Sequence, residues 1–237
     1  MANICLNSAN VACRTALHVY NELILFWNFR MRGLYLITND DPIELLLAKL
    51  EGAMATYEVA VLQYRRKKVT DKEAKAYEIG YMKHLCEQYK VPFVINDDLD
   101  AAVEYGVGVH LGQDDGSIID AVARLPKNVL IGRSCNNSLE LAEQAIADGA
   151  NYVAFGAIYA TDTKPEAGNT GLDILRQAKA KLNVPICAIG GLTVENGKEV
   201  IEAGADLCAV ISDVLGRSMS TVGQRVYDWS ELFAEQA

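Results

Sequence analysis

Two apolar runs near the middle of the chain end in acid: Val91-Pro-Phe-Val-Ile-Asn96-Asp97-Asp98 and Gly108-Val-His-Leu-Gly-Gln113-Asp114-Asp115. Four or five buried-type residues that stop at carboxylates read as a strand carrying charge to the edge of a sheet. Two such strands in succession place Asp97 and Asp115 side by side at one rim. Paired carboxylates with room left for water and phosphate oxygens suit Mg²⁺, a hard cation that takes oxygen donors. The spacing is equally compatible with Asp and Asn opening a turn or capping the next helix.

Other polar groups follow apolar runs in the same way. In Gln63-Tyr64-Arg65-Arg66-Lys67, alternate positions share one face if the strand continues outward, so Gln63, Arg65 and Lys67 form an anion clamp. A solvated basic loop explains the run as well. Thr161-Asp162-Thr163-Lys164 offers hydroxyls at alternate positions and an ammonium for phosphate oxygens, although Thr and Asp also favour plain turns. Gly190-Gly191 lets backbone N–H groups approach an anion at a helix start. Ser134 has no His or acid at nucleophile-activating spacing in sequence and reads as a hydrogen-bond donor. His110, in mid-strand, reads as a core histidine, and Cys135 as a packing residue.

These groups need a scaffold that brings strand ends to one rim. From Gly33 onward a strand-then-helix unit repeats. Strand candidates are Leu34–Thr38, Val59–Gln63, Phe93–Asn96, Val107–Leu111, Val129–Gly132, Tyr152–Gly156, Ile186–Gly190 and Leu207–Ile211. Helical patterns between them include Ile43–Ala55, Asp71–Tyr89, Leu139–Ala147, Leu172–Leu182 and Val194–Ala203. Alternation of this kind implies parallel strands with crossover helices. Eight near-even units fit a single-domain α/β (β/α)₈ TIM barrel, whose typical length is about 250 residues and whose chemistry sits at the strand C-terminal ends. An open doubly wound sheet is the alternative fold.

The 237 residues are 51% hydrophobic, and their net charge is −9. That charge argues against a nucleic-acid partner and leaves the capture of any anionic substrate to local cations. Cysteines 5, 13, 86, 135, 187 and 208 show neither metal-type nor disulfide-type spacing, which suits a reducing cytoplasm. The most apolar piece of residues 1–30, Leu23–Phe29, is too short to cross a bilayer, so no membrane partner is expected. Those thirty residues read as a leader outside the patterned domain. Start-codon choice and a real extension packed on the domain both account for it.

With these motifs in place, the chain resembles thiamine-phosphate synthase over about residues 33–216. The resemblance rests on Gln63–Lys67, Ile95–Asp98, Val109–Asp115, Thr161–Lys164, Ala188–Gly191 and Ile211-Ser212, in register. It implies a Mg²⁺-dependent transferase joining a pyrimidine diphosphate to a thiazole phosphate with loss of diphosphate. It further implies that Gln63, Tyr64, Arg65, Arg66 and Lys67, with Asn96, hold the pyrimidine diphosphate, and that Asp97 and Asp115 ligate Mg²⁺. Ser134 and Lys164 then meet the pyrimidine or the leaving group. Thr161, Asp162, Thr163, Gly191, Ile211 and Ser212 surround the thiazole phosphate. Arg65, Lys67, Lys164 and Ser134 carry the catalytic expectation. Arg133 and Asn136 depart from the family pattern around the fifth strand. A thiazole tautomerase-like isomerase and a non-catalytic phosphate-binding barrel are the competing readings. A homo-oligomer is left open.

Overall fold

The computed structural model describes residues 31–56, 59–160 and 170–236. The structural unit that carries the elements below spans Arg32–Ala237. Eight strands close into a parallel barrel in chain order: β1 (Gly33–Ile37), β2 (Val59–Tyr64), β3 (Phe93–Asn96), β4 (Gly108–Leu111), β5 (Ile131–Ser134), β6 (Tyr152–Phe155), β7 (Ile186–Ile189) and β8 (Leu207–Val210). Closure comes from pairing Gly33–Leu36 with Leu207–Val210. The helices around it are α1 (Ile43–Thr56), α2 (Lys72–Tyr89), α3 (Leu99–Tyr105), α4 (Ile118–Arg124), α5 (Leu139–Ala147), α6 (Asp173–Lys181), α7 (Val194–Glu202), α8 (Ser212–Leu215) and α9 (Val222–Glu235). The expected (β/α)₈ barrel is the observed fold, and no helix among the described residues is long and apolar enough to cross a membrane.

Strand alternation sorts the side chains into two layers. Leu34, Leu36, Leu62, Phe93, Ile95, Val109, Leu111, Val153 and Phe155 face outward into the buried layer shared with the helices. The other face of each strand lines the barrel, where Tyr35, Gln63, His110, Ser134, Ala154, Cys187 and Ala209 meet. The helix ends obey local chemistry. Asp71, Asp98, Ser117 and Ser138 accept backbone N–H bonds at helix starts, and Gly106 stops α3 in a left-handed conformation (φ 63°).

Most expected bounds differ from the observed ones by a residue or two. The largest displacement is β5, expected at Val129–Gly132 and found at Ile131–Ser134. Val129 closes a turn onto the Pro126 carbonyl (3.4 Å), and pairing begins only where Ile131 meets Val109.

Candidate active site

The strand ends surround a cavity of about 370 Å³ at the barrel mouth. A second cleft of about 660 Å³ lies beside it, toward β2, β3 and the loop after β4. Arg65, Asn96 and Asp115 line both spaces, so the expected cation clamp and carboxylate pair stand where the two spaces meet.

Asp97 takes a left-handed backbone, φ 63°, a region that short polar side chains tolerate better than most. Its N–H donates to the His110 carbonyl (2.8 Å). Its Oδ1 accepts the Gly112 N–H (3.2 Å), its Oδ2 accepts from Asn96 Nδ2 (2.5 Å), and Lys67 Nζ stands 3.7 Å away. Burial, then the charge of Asp97 and a hydrogen bond shared with it, push the Asp115 carboxyl up, with Lys67 opposing. Gly112 leaves the space between them open: a Cβ there would lie 2.3 Å from Asp115 Oδ2 and 3.7 Å from Asp97 Oδ1. Two carboxylates held together against their mutual repulsion are a donor set that fits Mg²⁺. Among the described residues no cluster of three or more His, Cys, Asp or Glu converges. Water and ligand oxygens would complete the coordination, as is usual for this ion.

The neighbouring acid behaves differently. Asp98 caps α3 through the Ala101 N–H (2.9 Å) and pairs with Lys75 (2.6 Å). Burial pushes its carboxyl up, but these partners outweigh burial and hold it below its ordinary value.

The clamp divides. Arg65 faces both cavities, its N–H fixed by Thr38 Oγ1 (2.8 Å), while the Lys67 side chain is 59% exposed. Arg66 bonds both oxygens of buried Glu78 (2.9 and 3.0 Å) and the carbonyls of Asn39 and Asp41. Tyr64 points outward and donates to the same Glu78 (2.9 Å). Gln63 and Arg65 thus line the barrel mouth, whereas Tyr64, Arg65, Arg66 and Lys67 all line the outer cleft, Tyr64 and Arg66 being tied there to Glu78. Thr161, Asp162, Thr163 and Lys164 lie outside the described residues.

Sequence reasoning missed a hydrogen-bonded chain across the barrel interior. Gln63 Nε2 donates to Tyr35 Oη (2.8 Å), which meets Tyr152 Oη (2.8 Å). Tyr152 Oη meets His110 Nδ1 (2.9 Å), and His110 Nε2 meets Ser134 Oγ (2.9 Å). Burial pushes both phenols up, so both keep their protons. His110 thus links Tyr152 to Ser134 through its two ring nitrogens, and its tautomer sets the direction of both bonds. Gly132 makes room, since a Cβ there would lie 2.1 Å from Tyr152 Cζ. The expectation that Ser134 has no histidine near it is corrected: His110 is 24 positions away in sequence and adjacent in space.

Across the mouth, Gly191 is left-handed (φ 65°), and a Cβ there would lie 2.6 Å from the Ala160 carbonyl oxygen. Asn196 shapes this turn, donating to the Gly191 carbonyl and accepting the Thr193 N–H (2.9 Å each). Ile211 and Ser212 line the same cavity and open α8.

A closed parallel barrel with a cavity of mixed polar and apolar lining at the C-terminal ends of its strands has the architecture of (β/α)₈-barrel enzymes. The chain belongs to the thiamine monophosphate synthase family, whose model matches residues 34–214. Membership places it among the transferases of thiamine biosynthesis. Thiamine phosphate pyrophosphorylase from Pyrococcus furiosus is 32% identical, aligned over 87% of this chain and 98% of its own, with a TM-score of 0.74. More distant structures share the fold. The (S)-3-O-geranylgeranylglyceryl phosphate synthase of Thermoplasma acidophilum is 17% identical, covering 92% of this chain and 98% of its own, at TM-score 0.60. A 3-hexulose-6-phosphate synthase is 18% identical, covering 85% and 99%, at TM-score 0.61.

Proposed function

We propose that the protein couples 4-amino-2-methyl-5-hydroxymethylpyrimidine diphosphate to 4-methyl-5-(2-phosphoethyl)thiazole, releasing diphosphate and forming thiamine phosphate. The observation that carries this reading is the meeting of the two cavities at Arg65, Asn96 and Asp115. A diphosphate placed there has its organic group in the barrel mouth and its leaving path in the outer cleft.

In this reading Gln63 and Ser134, at opposite ends of the interior hydrogen-bond chain, orient the pyrimidine and its leaving group. Asn96 contacts the diphosphate, and Arg65 and Lys67 neutralise charge that grows on it as the C–O bond breaks. Asp97 and Asp115 would hold Mg²⁺, which would supply further charge neutralisation on the diphosphate. Lys164, by its place in the sequence, supplies another cation. The Gly191 turn and the Ile211-Ser212 backbone bind the thiazole phosphate, with Thr161, Asp162 and Thr163 assigned there from sequence. The pyrimidine carries its own electron-donating amino group, so no protein nucleophile is required, and positioning of the two substrates supplies much of the rest. A cytoplasmic setting accords with the free, buried thiols of Cys86, Cys135, Cys187 and Cys208. Burial pushes Cys135 up to about 12.

Diphosphate release is the deciding assay. Release is expected only with both substrates and Mg²⁺, and Asp97→Ala or Asp115→Ala is expected to lower kcat/KM by about 100-fold or more. Full activity in both variants would sink the reading. Turnover of a thiazole substrate alone, without metal, would favour an isomerase.

A further inference from the structure

Ser134 faces the barrel mouth, and its neighbour Arg133 faces the opposite way, toward α4 and α5, beside Ser117, Leu141 and Gln144. There its guanidinium donates from Nη1 to the Gly116 carbonyl (2.8 Å) and from Nη2 to the Gln113 carbonyl (3.1 Å). Those two carbonyls bracket Asp114-Asp115. A second tie runs the other way, from the Gln113 side-chain amide to the Ser134 carbonyl. Within the loop, the Asp115 N–H reaches the Gly112 carbonyl at 3.3 Å, a long bond, and Gly116 needs φ 123°.

We infer that Arg133 is a positioning residue for the divalent-cation site, fixing the 113–116 segment so that Asp115 faces Asp97 before a cation arrives. The inference rests on the Mg²⁺ reading above. Two facing carboxylates repel, and a short exposed loop relieves that repulsion by swinging Asp115 away from Asp97 unless something holds the backbone. The planar guanidinium, with five donors in a fixed fork, can bridge two carbonyls of one turn, whereas an ammonium is a point donor. Arg133 acts here through the backbone. The cation whose charge opposes the upward push on Asp115 is Lys67.

The test is Mn²⁺ binding to the full-length protein without substrate, followed by electron paramagnetic resonance and by competition with Mg²⁺. Arg133→Met removes the donors and keeps most of the stem. It is expected to weaken Mn²⁺ binding by about 10- to 100-fold, the usual effect of losing a partner behind a metal ligand, and to speed amide hydrogen exchange at residues 113–116. Arg133→Lys keeps the charge and is expected to fall between Arg133→Met and the wild type. Wild-type Mn²⁺ affinity in Arg133→Met overturns the inference, and so does full recovery in Arg133→Lys, which would make charge the cause. A wild-type protein that binds Mn²⁺ no better than Asp97→Ala refutes the cation site itself and this inference with it. That result comes from the wild-type titration, whereas the tether is judged by the ratio of wild type to variant.

Discussion

Gly191 shows how much a single residue can constrain. Its φ of 65° is one that L side chains rarely adopt, and an added Cβ would press on both the Ala160 carbonyl and Tyr159 Cβ (2.8 Å). Gly191→Ala is therefore expected to cost about 1–3 kcal/mol in stability and to raise KM for the thiazole phosphate about 10-fold, with a smaller change in kcat. Thermal unfolding and steady-state kinetics read the two effects, and an unchanged KM would remove Gly191 from the phosphate pocket. At this scale the acids were legible in sequence because each follows an apolar run: Asp97 and Asp115 are at the rim, and Asp98 is a cap. His110 was not. Its partners Tyr152 and Ser134 are 42 and 24 positions away, and no local pattern reveals that three strands turn these side chains toward one another inside the barrel.

At the scale of elements, the strand-and-helix beat was readable because apolar runs and helical periods alternate. The short helices α3 and α4 carry little period and were not singled out. A second kind of information was also hidden: which helices are tied to which loops by charge. Arg225 of α9 bonds Asp213 of α8 through Nε (3.0 and 3.1 Å) and through Nη2, and it grips both oxygens of Glu195 on α7. Trp229 Nε1 donates to the same Asp213 (2.8 Å). Arg225→Met would leave buried Asp213 with the more distant Arg217 (Nη2 at 3.5 Å) in place of a bonded guanidinium, at a loss of up to about 3–5 kcal/mol, measurable by chemical denaturation. The same variant has a pH signature. The Arg225 hydrogen bonds, then backbone and Thr193 contacts, lower the Glu195 carboxyl to about 2. A depressed carboxyl stabilises the fold above its ordinary value and loses that contribution as pH falls toward about 2. In Arg225→Met, Glu195 is expected to titrate near the ordinary range, visible in its carboxyl NMR signal.

For the whole molecule, the barrel from β1 to α9 is proposed to be the catalytic unit and residues 1–30 to be dispensable. A chain beginning at Met31 is expected to release diphosphate with unchanged kcat/KM, and a large loss would assign the leader a part in the site. The closure of β1 on β8 carries a consequence in time. Leu34 has β2 on one side early, but its neighbour Cys208 on the other side is made only when the barrel is almost complete. At roughly 5–20 residues per second of synthesis, an apolar strand with one edge unmade is exposed for on the order of ten seconds or more on the ribosome. The yield of this protein in a cell is therefore expected to depend on what shields that edge during synthesis as well as on the stability of the finished barrel.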